Sequence, residues 1–204
     1  MVQARKTGYA KGELARQTVL DTALKVLAEK GLANTSIQDI ADAAGVSKGV
    51  VHYHFESKDE LLERVLELAC LGIEQRVVAV FEQDGMPIER IRRGLAEMWA
   101  VRRDGAPEMR VLTELHMHAR QNPAMRKAFK AALIKARGVM IEVGLGALMA
   151  MGLKPKVPVN VIPRMIMATL DGLALQHEVD PIAPEEEVEI LKAIEATAIA
   201  LFEL

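Results

Sequence analysis

The 204-residue sequence predicts an all-α protein of nine helices. Apolar residues recur at helical spacing along the whole chain, while no segment sustains period-two alternation and no Asn-Gly hairpin signal occurs. Proline and glycine clusters punctuate the chain where the periodicity breaks. Half of the residues are hydrophobic, enough at this length for a sizeable core. Aromatics make up only 3% while methionine occurs 11 times, so that core is aliphatic and deformable.

The first helix is expected from about Lys11 to Lys30, with Leu20, Ala23, Leu24 and Leu27 on one face and Gly31 as its stop. Thr35 is the expected N-cap of the second, and Gln38 three residues on completes a capping box. Ile37, Ile40, Ala41 and Ala44 form its buried stripe. Gly45-Val46-Ser47 is the turn into a short third helix, capped by Ser47 and closed by Phe55. Ser57, with Glu60 three residues later, caps a long fourth helix that ends before "DGMP". Five more are expected over residues 88–103, 107–121, 123–150, 158–178 and 184–203, separated by Pro107, Pro123, "GLKPKVP" and "DPIAP". A domain boundary is expected near residue 56, giving a small domain over 1–56 and a larger helical one over 57–204.

Net charge is −2, so no global basic field announces a polyanion partner. Its distribution is uneven. Arg5, Lys6, Lys11 and Arg16 face only Glu13 in the first 20 residues, whereas residues 180–204 carry seven acids against Lys192. Cys70 stands alone, which excludes an intramolecular disulfide or a cysteine metal site. The first residues lack the apolar core of a signal peptide, and the longest apolar run, Val143 to Leu153, is too short to span a bilayer. A cytoplasmic protein without a membrane partner is expected. No cofactor is expected either, since there is no phosphate loop, nucleophile elbow or metal-spaced cluster.

The densest chemistry lies in "SIQDIADAAGVSKGVVHYHF", Ser36 to Phe55, two helices joined by a short turn containing Gly45. A helix fits the major groove of B-form DNA, and residues near its N-terminus face base edges. Lys48 is placed to donate to guanine, Gly49 lets the backbone come close, and Val50 suits a thymine methyl. His52, Tyr53 and His54 suit phosphate oxygens, as do the helix starts at Thr35, Ser36 and Lys58. The same spacing also fits a three-helix subdomain with exposed His and Tyr and no DNA role. Residues two apart on a helix face different ways, so His52 and His54 make a poor metal or catalytic pair. Val51 and Phe55 read as core.

The run "TSIQDIADAAGVSKGVVHYHFESKDELLERVL" resembles the N-terminal domain of the TetR family of bacterial transcriptional regulators, over residues 11–66. Gly45-Val46-Ser47-Lys48-Gly49, then Tyr53-His54-Phe55 and Asp59-Glu60-Leu61, carry the resemblance. It implies a helix-turn-helix domain ahead of a helical effector-binding and dimerisation domain. By the same resemblance Ser47 opens the reading helix, and Lys48, Gly49 and Val50 touch bases. Thr35, Ser36, His52, Tyr53, His54 and Lys58 would hold phosphates; His52 departs from the tyrosine frequent at its position. Helix number and length match beyond residue 66, and "ATLDGLALQ" is similar to the eighth helix of betaine-pathway regulators.

The resemblance implies a homodimer that reads double-stranded operator DNA through paired half-sites about 34 Å apart. It implies repression relieved by a small, partly apolar effector. Val188, Leu191, Ile194, Ala198 and Phe202 line one apolar face and Ile162, Met165, Ile166, Thr169 and Leu173 another, suited to a dimer surface or to a monomer core. Met98, Trp99, Val111, Leu115 and Met140 are candidate pocket walls or plain core; Glu114 and His118, four apart on one helix, are their polar partners. Two rival readings stand beside this one: a helical interaction module without sequence-specific DNA binding, and a small helical enzyme using Glu114 and His118.

Overall fold

A computed structural model of the chain describes residues 2–203, with side chains from residue 12 onward. Arg5, Lys6 and Lys11, the basic side chains expected near the amino terminus, lie outside the described side chains. Nine helices are present among the described residues. They are α1 Val2–Lys30, α2 Ile37–Ala43, α3 Lys48–His54, α4 Lys58–Phe81, α5 Pro87–Arg103 and α6 Pro107–Ala119. Next, α7 starts as Pro123–Val139 and runs on through a π-helical stretch, Met140–Leu145, into Gly146–Ala150. The last two are α8 Val161–His177 and α9 Pro184–Ala200. The first helix thus begins well before the expected Lys11.

The chain packs as two compact units, residues 1–71 with 107–132 and residues 72–106 with 133–204. This division is one of packing, whereas the boundary expected at residue 56 concerns function. In the first unit α1 packs along α6 and against α2 and α3. Its expected stripe of Leu20, Ala23, Leu24 and Leu27 is buried, and Ile40, Ala41, Val51 and Phe55 close over it. From α6 and α7 come Val111, Leu115, Met125 and Phe129, with His116 stacked on the Phe129 ring at 4.9 Å.

The second unit holds two apolar clusters. Val77, Phe81, Leu95, Met98, Trp99, Leu170 and Ile194 form one; Leu145, Leu148, Ile162 and Phe202 form the other. Arginines of α5 tie the helices around them. Arg92 forks onto Glu195 at 2.9 and 2.8 Å, Arg102 meets Asp171 at 2.7 Å, and Arg103 meets Glu187 at 2.7 Å. The Arg92 hydrogen bond lowers the Glu195 pKa, yet Arg92 is 63% exposed. Such a screened pair contributes register more than stability.

Helix α9 stops at Ala200, short of the expected residue 203, and the chain turns into a two-residue antiparallel pair that the sequence pattern did not predict. Lys154 and Pro155 lie opposite Glu203 and Phe202. Phe202 supplies the reason, since its ring is 0% exposed within the second cluster and is therefore no surface residue of this chain. Lys156 completes the exit by donating its N–H to Leu201 O (2.7 Å) and its Nζ to Ala200 O (3.0 Å). Truncating a fully buried aromatic leaves an unfilled cavity. Phe202→Ala is expected to lower stability by about 3–5 kcal/mol in chemical denaturation; a loss under about 1 kcal/mol contradicts this packing.

Candidate nucleic-acid interface

Helix α1 ends at Gly31, whose φ of +75° is a conformation that L side chains rarely adopt. Thr35 then ties the chain down. Its hydroxyl donates to Gly31 O at 2.7 Å, and its own carbonyl accepts from Lys58 Nζ at 2.5 Å. The residue is only 2% exposed. Its hydroxyl is therefore spent inside the fold, and Thr35 is not the N-cap of α2.

Ser36 takes that role. Its side chain accepts from Asp39 N at 3.1 Å, and the Asp39 carboxylate accepts in return from Ser36 N at 2.9 Å and from the Ser36 hydroxyl. The capping box is thus Ser36–Asp39, shifted by one from the expected Thr35–Gln38, and Gln38 donates to Asp42 Oδ1 instead. These Ser36 hydrogen bonds, with help from Lys30 at 3.3 Å, hold Asp39 at a pKa of about 2, below its ordinary 3.8.

After α2 the chain reverses at Gly45, at φ +67°. The turn closes through Gly45 N to Asp42 O (3.1 Å) and Val46 N to Ala41 O (3.0 Å). Ser47 caps α3 as expected, accepting from Val50 N at 3.3 Å. Val51 and Phe55 point inward at 0% and 1% exposure. Helical spacing then turns Lys48, Gly49, His52 and Tyr53 outward, all exposed, while Val50 and His54 are half-buried. Tyr53 stands 84% exposed, its ring edge-on to His54 at 5.0 Å.

A cleft of about 620 Å³ lies beside this face. Five of the expected contact residues line it: Thr35, Ser36, Lys48, His52 and Lys58. Ser47, Gly49, Val50, Tyr53 and His54 belong to α3 and its cap but not to the cleft wall. Asp39 also lines the cleft, an acidic group that the reading of the sequence passed over. Its signal was present, because Ser-x-x-Asp before an apolar run is itself a capping-box pattern.

The candidate effector residues divide. Met98, Trp99 and Met140 share the first cluster of the second unit. Val111, Leu115, Glu114 and His118 belong to the first unit. Glu114 accepts from Leu32 N at 3.3 Å, while His118 Nε2 lies 3.3 Å from Asn122 Nδ2, which donates to Asp59 at 2.9 Å. The two side chains are thus engaged in different places, since α6 packs along α1. Trp99 is 2% exposed and edge-on to His177 at 5.8 Å.

The candidate dimer residues mostly meet. Ile162, Met165, Ile166, Thr169, Leu173, Ile194 and Ala198 line an apolar groove of about 280 Å³ along α8 and α9. Val188 is half exposed, Leu191 packs against the first cluster, and Phe202 is internal. Among the described residues no helix is long and apolar enough to cross a membrane. No group of three or more His, Cys, Asp or Glu among them is placed to hold a metal ion.

Comparison with known proteins bears on the same segment. Residues 19–65 match the family described as bacterial regulatory proteins, tetR family. The HTH-type transcriptional regulator PksA of Bacillus subtilis (strain 168) is 26% identical over 171 residues, 83% of this chain and 82% of that protein. The HTH-type transcriptional regulator AcrR of Shigella flexneri is 41% identical over 90 residues, 43% of this chain and 41% of that protein. The chain thus spans most of PksA and less than half of AcrR. A TetR transcriptional regulator from Chloroflexus aurantiacus J-10-fl superposes with a TM-score of 0.78 at 21% identity, covering 96% of this chain and 99% of that one. A transcriptional regulator from Rhodococcus sp. RHA1 gives 0.75 at 22%, covering 93% and 98%. At such identities the superpositions establish the fold.

The lowered Asp39 pKa has a signed consequence. Because the folded value lies below the unfolded one, the contribution is complete above about pH 4 and fades as pH falls through about 2. Asp39→Asn is therefore expected to flatten the stability profile across that window, read by far-ultraviolet circular dichroism during acid titration. An unchanged profile removes the carboxylate from the cap.

Proposed function

Because the chain belongs, through its residues 19–65, to the tetR family of bacterial regulatory proteins, we propose that it is a ligand-released homodimeric repressor of transcription. DNA binding through the helix-turn-helix is the part that the family match supports directly. The observation that carries the contact scheme is the outward face of α3, where Lys48, Gly49, His52 and Tyr53 stand exposed beside the cleft. In this scheme Lys48 reads a base edge in the major groove, with Gly49 and Val50 close to the bases. Ser36, His52, Tyr53, His54 and Lys58 hold phosphates, which position the protein without reading sequence. Lys58 is already anchored on Thr35 O, so it presents its charge from a fixed place.

The groove along α8 and α9 supports the homodimer, because an apolar face of this kind suits an isologous helical interface. Two copies would present two α3 helices to a palindromic operator in the cytoplasm. An effector binding within the helical domain releases the DNA by favouring a spacing that no longer fits; its leverage equals its differential affinity for the two states. The enzyme reading draws little support, as Glu114 and His118 are each committed to structural hydrogen bonds.

Fluorescence anisotropy on the DNA upstream of the protein's own gene tests this at two salt concentrations. Affinity is expected to fall steeply as salt rises; salt-independent or absent binding favours an interaction module. Lys48→Ala is expected to cost about 1–3 kcal/mol at a cognate site and to relax sequence preference. Equal weakening on cognate and random DNA removes Lys48 from base reading. Met165→Arg, placed in the groove, is expected to shift sedimentation from dimer to monomer, and an unmoved dimer places the interface elsewhere.

A further inference from the structure

Three locally unfavourable choices converge on one aromatic ring. Phe81, the last residue of α4, is 6% exposed in the first cluster of the second unit. On one side stands Gly94 in the interior of α5, where a Cβ would lie 2.2 Å from the ring's Cε2 and Cζ. Only glycine fits there while the ring is in place. On the other side stands Gly144, where a Cβ would come within 3.5 Å of Cζ. Gly144 itself sits in the π-helical stretch Met140–Leu145.

Glycine inside a helix is entropically unfavourable, and π-helical turns are rare. A core that is merely filled does better with alanine, regular helix and a smaller side chain. Local rules broken together in one place mark functional sites. The wall agrees, for Met98, Met140 and Met167 pack in the same cluster, and thioether side chains reshape around guests of different outline. The backbone beside the ring is held separately. Arg90 Nε donates to Phe81 O at 2.5 Å, and Arg93 donates to Gln83 O and Asp84 O at 3.3 and 2.9 Å. The ring can therefore turn about its own side-chain bonds without the helix end moving.

We infer that the Phe81 ring is the internal occupant of the effector site: an uncharged, planar molecule of one or two fused rings binds between α5 and the π-helical stretch by taking the ring's place. The facing glycines supply two flat walls, and the apolar cluster around them disfavours a charged guest. While Phe81 fills the slot, a guest's apparent affinity is reduced by the small fraction of molecules in which the ring is out. The word effector rests on the regulator reading above; the slot and its guest do not.

The chain's four phenylalanines and single tryptophan make the test direct. Full-length protein carrying 4-fluorophenylalanine is titrated with toluene and with naphthalene, followed by fluorine NMR and by Trp99 emission. One resonance, assigned through Phe81→Leu, is expected to move saturably, with Trp99 reporting the same affinity. Phe81→Ala removes the occupant and Gly94→Ala evicts it, so each is expected to tighten toluene binding by about tenfold or more. If one variant fails to fold, the other carries the comparison. A Phe81 resonance that stays put, or variants no tighter than wild type, overturns the inference. The same samples are assayed for salt-dependent DNA affinity. Without guest, its absence sinks the regulator reading alone. DNA affinity unaffected by naphthalene, despite a moved resonance, overturns the effector role.

Discussion

Thr35 is where the DNA-facing half of the molecule is tied together. One residue joins the end of α1 through its hydroxyl, the start of α2 through its place in the chain, and the start of α4 through its carbonyl. It is buried, so each of these groups must be satisfied inside the fold, and a buried polar group left alone costs far more than the bond contributes when made. That asymmetry makes the knot restrictive. A loop that wandered would forfeit several bonds at once. The cleft beside α3 takes its shape from this constraint, since Ser36, Lys48 and Lys58 line it from three different elements.

Much of this was legible in the residues. The α1 stripe, the reversal at Gly45 and the Ser47 cap all follow from local rules that nothing distant overrides. The capping box of α2 shows where local rules run out. Thr35 and Ser36 are adjacent hydroxyls, with Gln38 and Asp39 at the matching offsets, so the local code fits either frame. Choosing between them needs to know that Gly31 O and Lys58 Nζ converge on Thr35, and Lys58 lies 23 residues downstream. Phe202 failed for a related reason. Helical periodicity in residues 184–203 continues past the point where burial in the second cluster pulls the chain out of the helix.

The helical body was the least legible part of the candidate site. Face and spacing put Glu114 and His118 on one side of α6, but no periodicity says which neighbour that side meets. The neighbour is α1, and both side chains find backbone or amide partners there and at the start of α4. Methionine content correctly announced a deformable core, and Met98 and Met140 do meet. The π-helical stretch that brings Gly144 onto Phe81 has no signature in the residue pattern, because it registers an extra residue accommodated by packing. Polar positioning in the first unit was thus easier to foresee than apolar accommodation in the second.

Gly45 and Gly94 forbid a side chain for opposite reasons. At Gly94 the obstacle is volume; at Gly45 a Cβ meets nothing within 4 Å, and the only objection is the dihedral at φ +67°. The objection is therefore one of handedness. A mirror-image alanine introduced there by chemical ligation would sit at ease in the turn, and by restricting the disordered chain it would make the reversal between the two helices more rigid than nature's achiral residue allows.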